Sequence, residues 1–230
     1  MSIYLAEKIL LEKFQHEPFH NFYLLNNMQP TTAKFGGTCS DKALSYLKSV
    51  KAAGLKAYLH TARIGGEEIH QLVRLEINNQ RYFADVGNGW PSIQLYPAFK
   101  PVLYECYGMR FRTTIENNVL KVFHFKRGVE KLQMEIDIKE KSEKTIQKSI
   151  ARRFSSGVVY PFSNQLRFSM VVDQRFLFIR KTTLEIYSNN YYEEVPHINI
   201  TDLKKIIMTY FKYDAVSLKL ESLYNNMQGN

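Results

Sequence analysis

Phe35-Gly36-Gly37-Thr38-Cys39-Ser40-Asp41 is the most informative stretch of the chain, because it places a cysteine after two glycines and at the start of a helix. Apolar residues recur at helical spacing from there to Ala53, and Gly54 is a typical helix stop. A thiol at a helix N-terminus lies near unpaired backbone N–H groups and the positive end of the dipole, which favour the thiolate. Two interpretations stay open here: a reactive nucleophile, or a small buried side chain that begins a helix.

A β-hairpin further along the chain supplies two partners for this cysteine. The alternation of polar and apolar residues after His70 predicts a strand, residues 78–80 predict a turn, and residues 81–86 predict the returning strand. His70 begins the first strand and Asp85 lies near the end of the second, so we expect the two side chains to meet as cross-strand neighbours. A carboxylate orients an imidazole, which then holds the proton of a nearby thiol. The sequence therefore predicts a catalytic set of Cys39, His70 and Asp85.

Several stretches resemble the arylamine N-acetyltransferase family, in the family's order. They are Glu17-Pro18-Phe19-His20-Asn21-Phe22, Phe35-Gly36-Gly37-Thr38-Cys39, the strand that begins at His70, Asp85-Val86-Gly87-Asn88-Gly89, Tyr160-Pro161-Phe162-Ser163-Asn164-Gln165-Leu166, and a closing helix from Asp202 to Tyr213. The family patterns are Pro-Phe-Glu-Asn-Leu, Arg-Gly-Gly-x-Cys, a His strand, Asp-Val-Gly-Phe-Gly, and His-Pro-x-Ser-x-Phe. The likeness covers most of the chain.

The resemblance implies an α+β fold with an N-terminal helical bundle, a central antiparallel β-barrel and a small C-terminal α/β lid. It also implies a ping-pong acyltransferase, in which acetyl-coenzyme A acylates Cys39 and an amine, hydrazine or hydroxylamine then takes the acyl group. Backbone N–H groups at the helix start would stabilise the oxyanion. The expected domains are a helical domain with Cys39 over residues 1–60, a barrel domain with His70 and Asp85 over residues 61–150, and a lid over residues 151–230.

The chain departs from the family pattern around the acceptor pocket. Phe35 replaces an arginine, His20 replaces a glutamate, and Ser40-Asp41 replaces Phe-Glu. Asn88 stands where the family has a phenylalanine that helps line the arylamine pocket. The reaction type therefore transfers more readily than the substrate, and a different acyl thioester is an alternative donor.

The resemblance also suggests which residues contact substrates. We assign substrate binding to Phe19, Asn88 and Trp90, and we expect Gly87 and Gly89 to let the donor approach the backbone closely. An amide at Asn88 must keep hydrogen-bond partners, since an unpaired buried amide costs free energy. We therefore expect a polar acceptor or a wetter pocket.

Three other readings of the chain remain. The same triad passes acyl groups to water or to a lysine in a cysteine hydrolase or a transglutaminase-like enzyme. Some relatives with this fold act as amide synthases on other acyl thioesters. A catalytically idle binding module would keep the fold and have an unreactive Cys39.

Composition restricts the partners. The 230 residues carry a net charge of +9, which favours anionic partners such as the phosphates of coenzyme A or an acidic acyl carrier protein. No nucleic-acid-binding motif is present, so we expect no nucleic-acid partner. The charged residues 139–153 have alternating signs, which indicates a solvated face, with a basic rim for a phosphate-bearing donor as the alternative.

The expected setting is a reducing cytoplasm. Cys39 and Cys106 make no disulfide framework, and the N-terminus lacks the features of a secretory signal. No apolar run approaches the ~20 residues that span a bilayer, so we expect no membrane partner. His16-Glu17-Pro18-Phe19-His20 fits the H-E-x-x-H zinc pattern, but Pro18 breaks the helix that the pattern needs, so we expect no metal.

Overall fold

The computed structural model describes residues 2–26, 28, 35–153 and 165–214. It has an α+β fold in which helices flank two antiparallel sheets. The α-helices of the described residues are α1 (Ile3–His16), α2 (Phe22–Leu25), α3 (Cys39–Ala52), α4 (Glu143–Arg152) and α5 (Leu203–Phe211). No helix in these ranges is long and apolar enough to cross a membrane.

Thirteen strands within the same ranges form the two sheets. They are β1 (Phe19–His20), β2 (Lys56–Ile64), β3 (Glu67–Ile77), β4 (Gln80–Ala84), β5 (Tyr96–Pro97), β6 (Leu103–Cys106), β7 (Met109–Glu116), β8 (Val119–Lys126), β9 (Val129–Asp137), β10 (Arg167–Val172), β11 (Arg175–Arg180), β12 (Thr183–Tyr187) and β13 (Tyr192–Val195). The larger sheet has the order β5-β4-β3-β2-β9-β8-β7-β6, and the smaller has the order β1-β10-β11-β12-β13.

The larger sheet is curled, so that its two edge strands approach each other. The hydroxyl of Tyr96 in β5 lies 3.4 Å from the hydroxyl of Tyr104 in β6. Both rings are buried, with exposed fractions of 0% and 7%. This curled sheet is the central barrel that the family resemblance implies. The turn residues Asn117-Asn118 between two alternating segments predict a second hairpin, and β7 and β8 form it, with both asparagines at positive φ as a tight hairpin turn requires.

Helix α3 packs against β2 and β3 of the larger sheet, and α1 packs against α3 and β10. Ala43, Tyr46 and Val50 of α3 are fully buried, and their spacing of three and four residues places them on one face of the helix. The hydroxyl of Tyr46 donates a hydrogen bond to the carbonyl of Ala6 in α1, at 3.0 Å. Helix α3 is thereby fixed against both the sheet and α1, and its first residue is Cys39.

The smaller sheet has its own hydrophobic core. Leu203, Ile207 and Phe211 of α5 repeat every four residues and are buried with the apolar residues of β10, β11 and β12. The strand-like patterns over residues 166–172, 176–180 and 183–187 predict three successive strands before the closing helix, and β10, β11, β12 and α5 are these elements. Residues 160–164 of the motif that resembles His-Pro-x-Ser-x-Phe lie outside the described residues.

Candidate active site

Cys39 is the first residue of α3, and the start of this helix is held by a capping box. Thr38 is the N-cap, and its backbone N–H and hydroxyl both donate to Asp41 Oδ2, at 2.9 and 3.1 Å. The other carboxylate oxygen of Asp41 forms an ion pair with Arg153, and both side chains are 8% exposed. A side chain at Gly37 would collide with this carboxylate. Asp41, which is part of the Ser40-Asp41 departure from the family pattern, therefore helps to hold the start of the helix in place.

The segment before Cys39 is clasped against β1. Gly37 N–H donates to the carbonyl of Pro18, and His20 N–H donates to the carbonyl of Gly37, at 3.1 and 2.9 Å. Any side chain at Gly36 would overlap the carbonyl of Pro18, and the φ of +73° at Gly36 also favours glycine. The two glycines thus allow the close backbone approach that sets the position of the nucleophile.

His20 takes part in the same clasp through both ring nitrogens. Its Nε2 lies 2.8 Å from the carbonyl oxygen of Phe35, and its Nδ1 accepts the N–H of Phe22 at 3.2 Å. Burial lowers the pKa of His20 to about 4, so the ring is neutral at pH 7. His20 is therefore a structural residue. The described residues contain no group of three or more His, Cys, Asp or Glu side chains arranged to hold a metal.

His70 in β3 and Asp85, directly after β4, lie side by side in the interior. The distance from His70 Nε2 to Asp85 Oδ1 is 2.8 Å, and the side chains are 3% and 0% exposed. The register pairs Val73 with Ala84, so the same ladder would place Asp85 opposite Leu72. His70 and Asp85 are thus diagonal neighbours on one face of the hairpin, two residues from the directly opposed position.

The geometry favours an ion pair between Cys39 and His70. Burial raises the pKa of the Cys39 thiol, but the hydrogen bond and charge of His70 outweigh burial, and the pKa is lowered overall. Burial lowers the pKa of His70, but the charge of Asp85 and the hydrogen bonds to Asp85 and Cys39 raise it overall. Both directions favour a thiolate beside an imidazolium. At Cys106, by contrast, burial raises the pKa of the thiol.

Gly87 makes room for the nucleophile. A Cβ built at Gly87 would lie 2.5 Å from Cys39 Cα and 3.0 Å from Cys39 Cβ. The N–H of Gly87 also donates to Asp85 Oδ1 at 3.2 Å, so one residue packs on the cysteine and binds the carboxylate. A side chain at Gly89 would instead meet the rings of Phe19 and Phe178.

A cavity of about 260 Å³ opens onto the cysteine. It is lined by Phe19, Cys39, Ile64, Ile69, His70, Gly87, Asn88, Trp90, Leu132, Gln133 and Arg167. The predicted site residues that line the cavity are Phe19, Cys39, His70, Gly87, Asn88 and Trp90. Of the other two, Asp85 lies behind His70 and Gly89 lies behind Phe19. The lining residues of β9 and β10 were missed, because no local signal in those strands shows which face meets the cysteine.

Asn88 lines the cavity and carries a buried hydrogen-bond donor. Its Oδ1 accepts the backbone N–H of Trp90 at 2.7 Å, which fixes the orientation of the amide. Its Nδ2 is buried and has no hydrogen-bond partner among the described residues. A substrate atom that accepts a hydrogen bond would satisfy this group.

Positive charge lies behind the Trp90 wall of the cavity. The ammonium of Lys126 is 3.2 Å from the centre of the Trp90 ring, and the Arg180 guanidinium is 5.7 Å from it. Burial, followed by the charge of Arg180, lowers the pKa of Lys126 to about 7. Glu185, which is 3% exposed, pairs with Arg180. The positive charge on this side of the cavity is therefore reduced, because the pKa of Lys126 lies near neutral pH and Arg180 is paired with Glu185.

No protein-family model and no curated protein sequence matches the chain. Among solved structures, it is similar to the arylamine N-acetyltransferase from Salmonella typhimurium, with a TM-score of 0.83 and 13% identity, covering 100% of this chain and 92% of that one. It is also similar to the Mycobacterium marinum arylamine N-acetyltransferase in complex with CoA, with a TM-score of 0.83 and 11% identity, covering 98% and 92% of the two chains. The Nocardia farcinica enzyme gives a TM-score of 0.80 and 15% identity, with 96% and 87% covered. The chain therefore has the arylamine N-acetyltransferase fold, as its motifs predict.

Proposed function

We propose that this chain is an N-acyltransferase that carries the acyl group on Cys39. The observation that supports this proposal most strongly is the buried contact of Cys39, His70 and Asp85 beside a cavity, in a fold shared with acetyltransferases. The ion pair lowers the pKa of the Cys39 thiol and so favours its nucleophilic thiolate form. The Asp85 carboxylate keeps His70 oriented and charged.

The reaction proceeds in two half-reactions. The Cys39 thiolate attacks the thioester carbonyl of the donor, and the resulting oxyanion lies near the backbone N–H groups at the start of α3. When the donor's carbon–sulfur bond breaks, His70 gives its proton to the departing thiolate, which leaves an acyl group on Cys39. An amine then attacks this thioester, His70 takes the proton of the amine, and the Cys39 thiolate leaves.

The proposed donor is acetyl-coenzyme A. The Mycobacterium marinum protein of the same fold was solved in complex with CoA. Arg167 lines the cavity, and its positive charge suits a phosphate-bearing donor. The chain's net charge of +9 acts in the same direction.

The proposed acceptor is an amine, hydrazine or hydroxylamine that carries an oxygen able to accept a hydrogen bond. Asn88 Nδ2 is a buried donor without a partner in the described residues, and Arg167 adds a positive charge to the cavity lining. An unpaired buried donor costs about 1–3 kcal/mol. A carbonyl or carboxylate oxygen that reached Asn88 Nδ2 would relieve this cost, whereas a purely apolar ring would not.

A product assay tests the proposed function. The protein is incubated with acetyl-coenzyme A and a panel of amines, hydrazides and hydroxylamine, and acetylated products and free coenzyme A are quantified together. We expect acetylated product from the wild type and from Cys106→Ala, the matched cysteine control, and none from Cys39→Ala. Free coenzyme A without acetylated product would indicate a hydrolase, and no turnover of any thioester would contradict catalysis.

A further inference from the structure

Gln71 gives Cys39 a further polar contact outside the triad. It follows His70 in β3 and is 5% exposed. Its Oε1 lies 3.2 Å from Cys39 Sγ and 2.7 Å from the hydroxyl oxygen of Ser40. The backbone of Gln71 also hydrogen-bonds to the cysteine, so this residue contacts the sulfur twice.

The observed contact suits a thiol, whereas the ion pair requires a thiolate. A carbonyl oxygen can accept the S–H of Cys39, but it would repel the negative charge of the sulfur after His70 takes the proton. The oxygen and nitrogen ends of an amide have nearly the same shape, so a half-turn of the Gln71 amide places an N–H donor at the sulfur. The hydroxyl of Ser40 can donate to the oxygen or accept from the nitrogen, and it therefore stays paired in both orientations.

We propose that Gln71 is a catalytic residue whose side-chain amide turns over with the charge on Cys39, accepting from the thiol and donating to the thiolate. The groups around Cys39 explain why its thiolate needs a hydrogen-bond donor. Asp41, the nearest carboxylate on α3, raises the pKa of the Cys39 thiol through its charge, whereas His70 on β3 lowers it. The amide N–H of Gln71 would add to the effect of His70 without bringing another charge into the interior.

This inference rests on the proposed function only in taking Cys39 as the nucleophile. The test is the pH dependence of iodoacetamide alkylation of Cys39, followed by mass spectrometry of its peptide, which needs no acyl donor. Gln71→Met keeps the length of the side chain but has no N–H donor. Gln71→Glu keeps the shape and adds a carboxylate. Gln80→Glu, at the first residue of β4, is the matched charge control.

We expect the alkylation midpoint of Gln71→Met to rise by about one pH unit, which slows the reaction about tenfold at pH values well below both midpoints. Gln71→Glu should raise the midpoint further, and Gln80→Glu should behave as the wild type. Ser40→Ala retains Gln71 but removes its second partner, so a smaller rise is expected. A wild-type midpoint in folded Gln71→Met would overturn the proposal, and so would equal effects of Gln71→Glu and Gln80→Glu.

The outcomes also separate this proposal from the proposed function. If the wild type transfers no acyl group and the alkylation midpoint still depends on Gln71, the acyltransferase proposal fails and the role of Gln71 stands. If acyl transfer proceeds and Gln71→Met matches the wild type in both midpoint and kcat/KM, the role of Gln71 fails alone. Thermal unfolding monitored by circular dichroism identifies any variant that is not folded. If Gln71→Met is not folded, the alkylation midpoint of Ser40→Ala replaces it as the test, and a midpoint equal to that of the wild type overturns the proposal.

Discussion

Replacing Gly87 by alanine tests whether the site depends on close contact between the β4 end and the start of α3. The new methyl group would lie 2.5 Å from Cys39 Cα, whereas ordinary contacts begin at 3.4 Å, so the two segments must separate by about 1 Å. The N–H of Gly87 is bonded to Asp85, so the same shift moves the carboxylate that orients His70. The substitution therefore displaces the sulfur relative to the imidazole.

The expected magnitudes follow from this displacement. Overpacking of an interior contact costs about 1–3 kcal/mol of stability, which leaves a typical domain folded. A misplacement of about 1 Å in a catalytic site lowers the rate by roughly 100-fold. We therefore expect Gly87→Ala to lose far more activity than stability.

The assay compares Gly87→Ala with Gly128→Ala, measuring kcat/KM for acyl transfer, the alkylation rate of Cys39 and the midpoint of thermal unfolding. Gly128 is in the turn between β8 and β9 at a φ of +77°, and a methyl group there meets nothing within 4 Å. The control therefore introduces backbone strain without disturbing Cys39. Full activity in folded Gly87→Ala, or equal losses in both variants, would refute the reasoning.

The remaining predictions concern the triad and the acceptor. Iodoacetamide should label Cys39 with a midpoint below the ordinary thiol value of ~8.5 and much faster than Cys106, because His70 lowers the pKa of one thiol and burial raises that of the other; equal rates would contradict this. Asp85→Asn should remain folded on circular dichroism but lower kcat by roughly 10²–10⁴-fold, because the imidazole loses its charged partner; unchanged kcat would remove Asp85 from the triad. Asn88→Phe should raise kcat/KM for p-anisidine about fivefold and lower it for a polar hydrazide, since an apolar ring replaces the unpaired Nδ2; efficient wild-type turnover of p-anisidine with no gain in the variant would show that Asn88 does not set the preference.

Local patterns in the sequence predict those parts of the fold that depend on neighbouring residues. The helix that begins at Cys39, the hairpin of β3 and β4, and the three strands β10 to β12 all follow from periodicity and turn residues. The contact between His70 and Asp85 also follows, because the two residues lie in one hairpin and a single turn sets their relative position. The two-residue offset of the pair does not follow, because it depends on which residues pair across the turn.

Contacts between distant segments could not be predicted. Asp41 pairs with Arg153, which is 112 residues away, and the cavity lining includes side chains from β9 and β10 that have no distinguishing local pattern. Gln71 was missed for a different reason. An alternating strand predicts which face a residue occupies, but the contact with Cys39 Sγ depends on where the first residue of α3 lies relative to the strand. The boundaries of the three expected domains remain predictions.

The central claim is that Cys39 carries the acyl group, and intact-protein mass spectrometry tests it most directly. Wild type, Cys106→Ala and Cys39→Ala are each incubated with acetyl-coenzyme A and other acyl thioesters in the absence of an amine, and the modified peptide is then mapped. We predict that one acyl group adds to the wild type and to Cys106→Ala, that it maps to Cys39, and that it leaves when an acceptor amine is added. Acylation of Cys39→Ala to the same extent as the wild type, or no adduct on the wild type with any thioester, would contradict the account.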